Sequence, residues 1–332
     1  RNFDGVFFAD GYGGAPLLWQ HLSWIFFSGS YALILIFAFG AIAEIVAAFS
    51  GKPLFNRGVV MGSLAAIAVF GTMAWMQNML TAPIGIGWMY FAMLMSLALI
   101  VPVGLVFFNL ISTLVGGAVQ MRAPLLFAVG ALSMISIGLA SEMTHSMVAV
   151  AWTLKNTTDA TAATHFALVG GAVFGGFAAL YYWFPKMTGR TMGESLARIS
   201  FWTMVIGILV AFIPLFFAGG LEGQVIDTYK FFDGSGVNVY NLIASIGTLI
   251  LAIGIILTLV NAIASREGGP EAGHDPWGGE SLEWFALSPP DPHNFDVLPD
   301  VRSARPMRDI RAAVANRTGA GQKPARERQP VA

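Results

Sequence analysis

The sequence contains no cysteine among its 332 residues. Disulfide bonds, thiolate metal ligands and cysteine nucleophiles are therefore excluded. Charge is also scarce, because Asp, Glu, Lys and Arg make up 11% of the chain against 56% hydrophobic residues. A soluble domain usually carries about 25% charged residues. This composition indicates an integral membrane protein.

Several motifs that would point to soluble chemistry are missing. The sequence has no P-loop, no HExxH pair, no nucleophile–His–acid spacing and no nucleic-acid-binding module. Its glycine-rich stretch, GGAVFGG, lies inside an apolar run and does not follow a strand. We therefore expect lipid, and no nucleic acid, among the partners of this chain.

Long apolar runs are what the sequence does have. Seven segments contain the roughly 20 residues needed to cross a ~30 Å hydrocarbon core, at about 18–49, 58–80, 85–117, 123–152, 162–185, 195–219 and 237–264. Irregular backbone cannot face lipid, so these segments should be helices. The sequence predicts an all-α membrane protein with an outer-side loop at 1–17, a seven-helix membrane domain at 18–265 and an inner-side Pro/Arg-rich tail at 266–332.

The charges around these segments predict an orientation. Lys and Arg concentrate in alternate loops and in the tail after residue 265, whereas the other loops are acidic. The positive-inside rule then places the N-terminus outside and the C-terminus inside. Trp277, Trp284 and Phe285 are candidate anchors that hold the tail along the inner face, with disorder expected near its end. The start, RNFDGVFFADGYGG, is typical of the middle of a longer, processed or split protein.

Ionisable side chains within the spans are the candidate functional residues, since they are rare and costly in membranes. His165 opens a long glycine-rich span. Glu142 and His145 lie three residues apart and so share one helix face. This E-x-x-H spacing is half of a metal–carboxylate motif of helical bundles, although a buried Glu–His pair is the more economical interpretation. With Asp159 and His165 they could form one polar cluster in the outer region.

Nearly the whole chain resembles the C-terminal part of haem–copper oxidase (cytochrome c oxidase) subunit I. QHLSWIFFSGSYALILIFAFGAIAEIVAAFSGK is similar to the sixth helix of that family and AWMQNMLTAP to the outer end of the seventh. GGAVFGGFAALYYWFPKMTGR is similar to the tenth helix, and GGESLEWFALSPPDPHNF to the inner C-terminus. The resemblance implies seven transmembrane helices equivalent to helices six to twelve, with the first five helices of the family absent from this chain.

The copper site of the family does not carry over. The family places three copper-ligating histidines on the sixth and seventh helices, and a cross-linked tyrosine beside the first. This chain has Ser28, Gln77 and Asn78 at the ligand positions and Ala32 at the tyrosine position. Hydroxyl and amide groups are poor ligands for copper. The resemblance therefore implies a degenerate active site, with no copper expected and no catalytic residue in this chain.

The two haem-ligand positions of the family differ in this chain. The family's high-spin haem ligand corresponds to Ala163, whereas the low-spin haem ligand corresponds to His165. The resemblance thus implies that His165 is an axial ligand of one low-spin haem, with a second imidazole from the absent N-terminal half or from another chain that shares the haem. The alternative is an inherited histidine that forms hydrogen bonds near the outer surface and holds no haem.

Three functional hypotheses follow. The first is a divergent subunit-I-like membrane subunit of a respiratory electron-transfer complex, in a bacterial plasma membrane or an equivalent energy-transducing membrane. Its expected partners are the other subunits, including a separate chain that supplies the first five helices. The alternatives are a haem-free scaffold for assembly of the complex and a transporter-like bundle.

Overall fold

The computed structural model describes residues 14–24, 26, 29–82, 84–222, 236–295, 298–299 and 301–317. Within these ranges the regular secondary structure is helical, and the β-pairing is limited to an isolated bridge between Arg190 and Glu271. The α-helices are α1 (Pro16–Trp24), α2 (Ser30–Ser50), α3 (Arg57–Met73), α4 (Ile86–Ala98), α5 (Ile100–Leu114), α6 (Ala123–His145), α7 (Val148–Leu154), α8 (Thr158–Leu168), α9 (Gly175–Thr188), α10 (Glu194–Glu222), α11 (Val237–Gly268) and α12 (Pro306–Arg317).

Seven helical stretches are long and apolar enough to cross a membrane. They are Ser30–Ser50, Arg57–Met79, Ile86–Leu114, Ala123–His145, Thr158–Thr188, Glu194–Glu222 and Val237–Gly268. The prediction of an all-α membrane protein with seven spans is confirmed. We call the end of the bundle that carries residues 269–317 the tail end, and the opposite end the far end.

The apolar run predicted at 18–49 contains α1 and α2, and Phe26 and Gly29 between them are π-helical. Another span ends earlier than predicted. The run predicted at 123–152 ends at His145, because Met147 adopts extended backbone angles (φ −77°, ψ 125°) before α7 begins. Apolarity alone does not reveal such breaks, since the residues on both sides remain hydrophobic.

The third span is interrupted at Leu99, between α4 and α5. Pro102 lacks the N–H group that would bond to the carbonyl of Ala98, and its ring crowds that carbonyl. The N–H of Leu99 instead bonds to the carbonyl of Ser96, three residues back, at 3.3 Å. The chain still crosses as one stretch, with a break in the middle.

The core lies around α2 and α6, the spans with the largest buried share, whereas α3, α5 and α11 leave many apolar side chains on the outside. Small residues bring the helices together. A Cβ added to Gly247 of α11 would lie 2.1 Å from the Ala211 nitrogen of α10. Such close backbone contact is how small residues drive helix association in lipid.

The tail folds back against the tail end of the bundle. Lys186, at the end of α9, is 7% exposed and donates to the carbonyls of Ala286, Leu287 and His274 at 2.7, 3.3 and 3.2 Å. The indole of Trp277 donates to the Tyr182 carbonyl at 2.8 Å. The segment predicted to be disordered includes 318–332, which lie outside the described residues.

Candidate functional site

A polar network crosses the far end of the bundle between α2, α6 and α8. The hydroxyl of Thr164 donates to the Glu142 carboxylate at 2.8 Å, and the hydroxyl of Tyr31 donates to the Thr164 carbonyl at 3.1 Å. Thr164 thus joins the carboxylate of α6 to the aromatic ring of α2. These bonds satisfy groups that would be costly to leave unpaired at membrane depth.

His145 is paired with Asp159 in the same region. Its Nε2 lies 2.6 Å from Asp159 Oδ1, and the histidine is 1% exposed. Because the carboxylate accepts, Nε2 carries the proton, and in the neutral ring Nδ1 is then the bare nitrogen. Nδ1 has no hydrogen-bond partner among the described residues. His145–Asp159 and Glu142–Thr164 are thus two separate polar contacts between α6 and α8.

Lys155 supplies a positive charge beside this network. Burial lowers the pKa of Lys155 from 10.5 to about 8, and the negative charge of Glu142 partly counteracts that shift. Its Nζ is buried without a hydrogen-bond partner in the described part of the chain. An ammonium group is costly to bury in this position, so Lys155 loses its proton at a lower pH than a lysine in water does.

A cavity of about 310 Å³ opens between these side chains, and both described residues at copper-ligand positions line it. The amide nitrogen of Gln77 donates to the Ser146 hydroxyl at 2.9 Å. Asn78 also lines the cavity. The third copper-ligand position, Ser28, lies outside the described residues.

These residues do not fit a copper ion. The Gln77 amide is engaged through its nitrogen, and the cavity contains one imidazole, that of His145, whose Nε2 is held by Asp159. Copper sites of this kind require several neutral imidazole nitrogens. In the described part of the chain, three or more His, Asp or Glu side chains never come together in a group able to hold a metal ion.

His165 lies apart from that cavity, on the side of α8 that faces α10. Its Nδ1 is 2.8 Å from the Thr161 carbonyl, and its ring stacks on Phe212 with centroids 5.0 Å apart and planes at 27°. Since a carbonyl only accepts, Nδ1 carries the proton and Nε2 keeps its lone pair. Ligating histidines are commonly oriented in this way.

The position of the family's high-spin haem ligand holds an alanine in this chain. Ala163 is fully buried, and a Cβ on Gly138 of α6 would lie 2.7 Å from its carbonyl oxygen. A methyl group packed against a helix backbone offers no ligand atom. The residues thus fit one axial ligand of a low-spin haem at His165 and do not fit the ligand of an oxygen-binding haem at Ala163.

A six-residue π-helix, Val169–Phe174, follows α8 directly. Such segments insert an extra residue into the helix and are often found at functional sites. Gly170 allows it to approach α6, since a Cβ there would lie 2.8 Å from the Met134 side chain. The π-helix therefore fixes the rotation of α8, and with it the direction of His165, relative to α9.

Sequence reasoning missed three members of the far-end network, namely Tyr31, Thr164 and Lys155. Tyr31 and Thr164 were passed over because they bear no charge. Lys155 lies between two apolar segments, where a lysine is usually solvated. A polar residue one position from a ligand position, as Thr164 is from Ala163 and His165, was the available signal.

The sequence is similar to oxidase subunits over most of its length. A family model described as "Cytochrome C and Quinol oxidase polypeptide I" matches residues 1–250. Cytochrome c oxidase subunit 1 of Bacillus subtilis (strain 168) is 34% identical over 309 residues, which are 92% of this chain and 49% of that protein. Quinol oxidase subunit 1 of Bacillus spizizenii is 31% identical over 306 residues, 91% of this chain and 47% of that protein.

The fold agrees with a solved structure. A heme-copper terminal oxidase dimer studied by cryo-EM is similar with a TM-score of 0.68 at 17% identity, over 77% of this chain and 50% of that one. The chain spans about half the length of these relatives. With the family match extending over three quarters of the sequence, the chain belongs to the cytochrome c and quinol oxidase polypeptide I family.

Proposed function

We propose that this chain is a divergent subunit-I-like half of a respiratory electron-transfer complex. In this proposal it holds one low-spin haem through His165, has no oxygen-reducing binuclear centre and works beside a chain that supplies the missing helices. His165 would hold the haem through Nε2, and the bound haem would supply one-electron transfer.

The state of His165 is the observation that carries the proposal. Its proton is held on Nδ1 by the Thr161 carbonyl, so Nε2 can accept a metal bond without losing a proton first. The ring is only partly buried and is held by Phe212 on one face. A ligand at the side of the bundle suits a cofactor shared with a neighbouring chain.

The exposed apolar surface supports a partner within the membrane. Large side chains such as Phe37, Phe108 and Ile263 are 74%, 58% and 75% exposed. Lipid or a neighbouring subunit within the membrane can cover them. A chain that contributes further helices beside this surface is part of the proposal, as are an outer far end and an inner tail end.

The haem-free scaffold is the second candidate. The bond from His165 Nδ1 to Thr161 also satisfies the ring in part without any metal. In that case the chain would contribute surface to the complex and no cofactor. The transporter-like bundle has weaker support, because the residues that line the cavity near Glu142 are mostly apolar and include one acidic side chain.

Metal content of the purified complex tests the proposal. We expect iron, and no copper that depends on this chain, because the cavity lacks a set of imidazoles. The comparison is wild type against the Gln77→Ala, Asn78→Ala double variant, with copper and iron measured by elemental analysis of the same samples. Stoichiometric copper that disappears in the double variant would contradict the absence of a binuclear centre.

A further inference from the structure

A serine hydroxyl lies between two carboxyl groups at the tail end of the bundle. Ser281 Oγ is 2.8 Å from Glu44 Oε1, on α2, and 2.8 Å from Glu283 Oε1, in the tail. Glu44 comes from a transmembrane helix, whereas Ser281 and Glu283 come from the segment that folds back over it. All three residues are partly buried.

Counting protons constrains this arrangement. A hydroxyl has one proton to donate, and an ionised carboxylate has none. Two hydrogen bonds of 2.8 Å to the same hydroxyl therefore require a second proton, which must sit on one of the two carboxyl groups. Without it, one carboxylate oxygen would face the lone pairs of Ser281 Oγ.

The neighbours indicate which carboxyl group carries the proton. Trp183 Nε1, on α9, donates to the same Glu283 Oε1 at 3.2 Å. Glu283 Oε1 thus faces two donor groups, so this oxygen is the acceptor at one end of the arrangement. Glu44 has Ser281 as its hydrogen-bond partner. The arrangement is then a Glu44 carboxylic acid that donates to Ser281, which donates to the Glu283 carboxylate.

The neighbouring charged residues do not neutralise Glu44 and Glu283 in place of this proton. Of the described residues, none forms an ion pair with Glu44 or Glu283. The Arg57 guanidinium, which acts on Glu44 from α3, donates to the Ala304 carbonyl. Glu280, a further acidic neighbour, is paired with Arg308 at 3.0 Å.

Two more groups face the Glu283 side. Lys186 is engaged by the tail carbonyls, and Asp275 is paired with Arg311 at 2.7 Å. The phenol of Tyr182, also nearby, is buried with no hydrogen-bond partner in the described part of the chain. Arg57, Lys186, Arg308 and Arg311 thus bond to groups other than these two carboxyl groups, which share their environment with the acidic Asp275 and Glu280.

We propose that Glu44, Ser281 and Glu283 form a proton-binding site that fastens the tail to α2. The bound proton lets two acidic side chains meet through one hydroxyl. Its loss at high pH would leave two carboxylates separated by a single oxygen, so the contact between the tail and α2 weakens as pH rises.

Infrared spectroscopy of the intact chain in membranes tests this site. The carbonyl stretch of a protonated carboxylic acid should be present at neutral pH and shift when the water is replaced by D2O. The band should lose intensity in Glu44→Gln. It should also lose intensity in Glu283→Gln, because Ser281 is then free to donate to an ionised Glu44. Glu194→Gln is the control, since this carboxylate accepts from Arg198 and a backbone N–H and should contribute nothing to the band.

A further variant, Ser281→Ala, tests the site in case a glutamine variant fails to fold. Ser281→Ala removes the bridge while keeping both acids, and the band of Glu44 should move in frequency or vanish. A wild-type spectrum without the band at neutral pH would overturn the proposal. So would a band that is unchanged in both glutamine variants.

Discussion

At the scale of single residues, two histidines at the far end of the bundle differ in where their protons sit. His145 has its proton on Nε2, against Asp159, inside a buried network. His165 has its proton on Nδ1, against its own helix, at the side of the bundle. Residue type alone does not separate these roles, since the partner of His145 is 14 positions away in the sequence.

The sequence did predict that Glu142 and His145 share one helix face, because spacing alone decides this. Asp159 was expected nearby only in a general sense. Which atoms pair depends on the close packing of α6 against α8. That packing is set by small residues at particular positions and is not visible as a pattern.

Lys155 provides a prediction at this scale. Lys155→Met should stabilise the folded protein at neutral pH, because the folded state has to bury an ammonium group. The pKa of about 8, against 10.5 in water, corresponds to at most about 3 kcal/mol. The measurement is the thermal midpoint of both proteins between pH 7 and pH 11.

The pH dependence has a definite sign. The unfolded state binds more protons than the folded state between about pH 8 and 10.5, so wild-type stability rises with pH across that window. The advantage of Lys155→Met is therefore complete below about pH 8 and is lost as pH passes 10.5. Lys155→Arg is the control and should keep the cost at every pH. An advantage independent of pH would contradict the account.

At the scale of helices, the position of α8 against α6 decides where His165 lies. Gly138 of α6 sits at this contact, and a Cβ there would lie 2.4 Å from the Ala167 nitrogen and 2.6 Å from its Cβ. Both atoms belong to α8, only two residues from His165. Backbone atoms cannot move aside as a flexible side chain can.

Gly138→Ala should therefore destabilise the bundle by roughly 1–3 kcal/mol, as overpacking usually does. Gly176→Ala, in α9, is a matched control because nothing lies within 4 Å of its added Cβ. That change should be neutral or stabilising by up to about 1 kcal/mol, since alanine favours helix more than glycine does. Thermal unfolding in the same detergent compares the two. Equal effects would mean that the contact between α6 and α8 is looser than described.

Helix number was predictable from the sequence, but helix interruptions were not. Apolar length gives seven spans directly. The break at Leu99 could have been inferred from Pro102, whereas the end of α6 at His145 and the π-helix at Val169–Phe174 depend on how neighbouring helices pack. The end of α6 and the π-helix matter because they lie close to His145 and His165, respectively.

At the scale of the whole molecule, the tail is part of the folded body. Trp284 is 1% exposed and lies with its ring centroid 5.0 Å from that of Tyr182, and the Lys186 Nζ is 5.3 Å from the centre of the same indole. The sequence predicted the tryptophan anchors from residue type. It could not predict that one lysine of the bundle would bind three tail carbonyls, since a Pro- and Gly-rich segment has no periodicity to read.

Removal of this lysine should release the tail. In Lys186→Met the carbonyls of Ala286, Leu287 and His274 lose their donor, and the stretch at 270–295 should become sensitive to limited proteolysis. Lys52→Met is the control at the same end, because Lys52 donates to the Val115 carbonyl and not to the tail. Cleavage rates mapped by mass spectrometry give the result. Equal protection in wild type and Lys186→Met would show that the tail is held by other contacts.

The reduced-minus-oxidised optical spectrum of the purified complex tests the central claim most directly. Wild type should show a low-spin haem band that is lost in His165→Ala. His145→Ala, which removes the histidine of the far-end network, should retain the band, because Asp159 holds that imidazole within the bundle. A band that is unchanged in His165→Ala, or a wild-type complex without haem, would contradict electron transfer through this chain and leave the scaffold as its role.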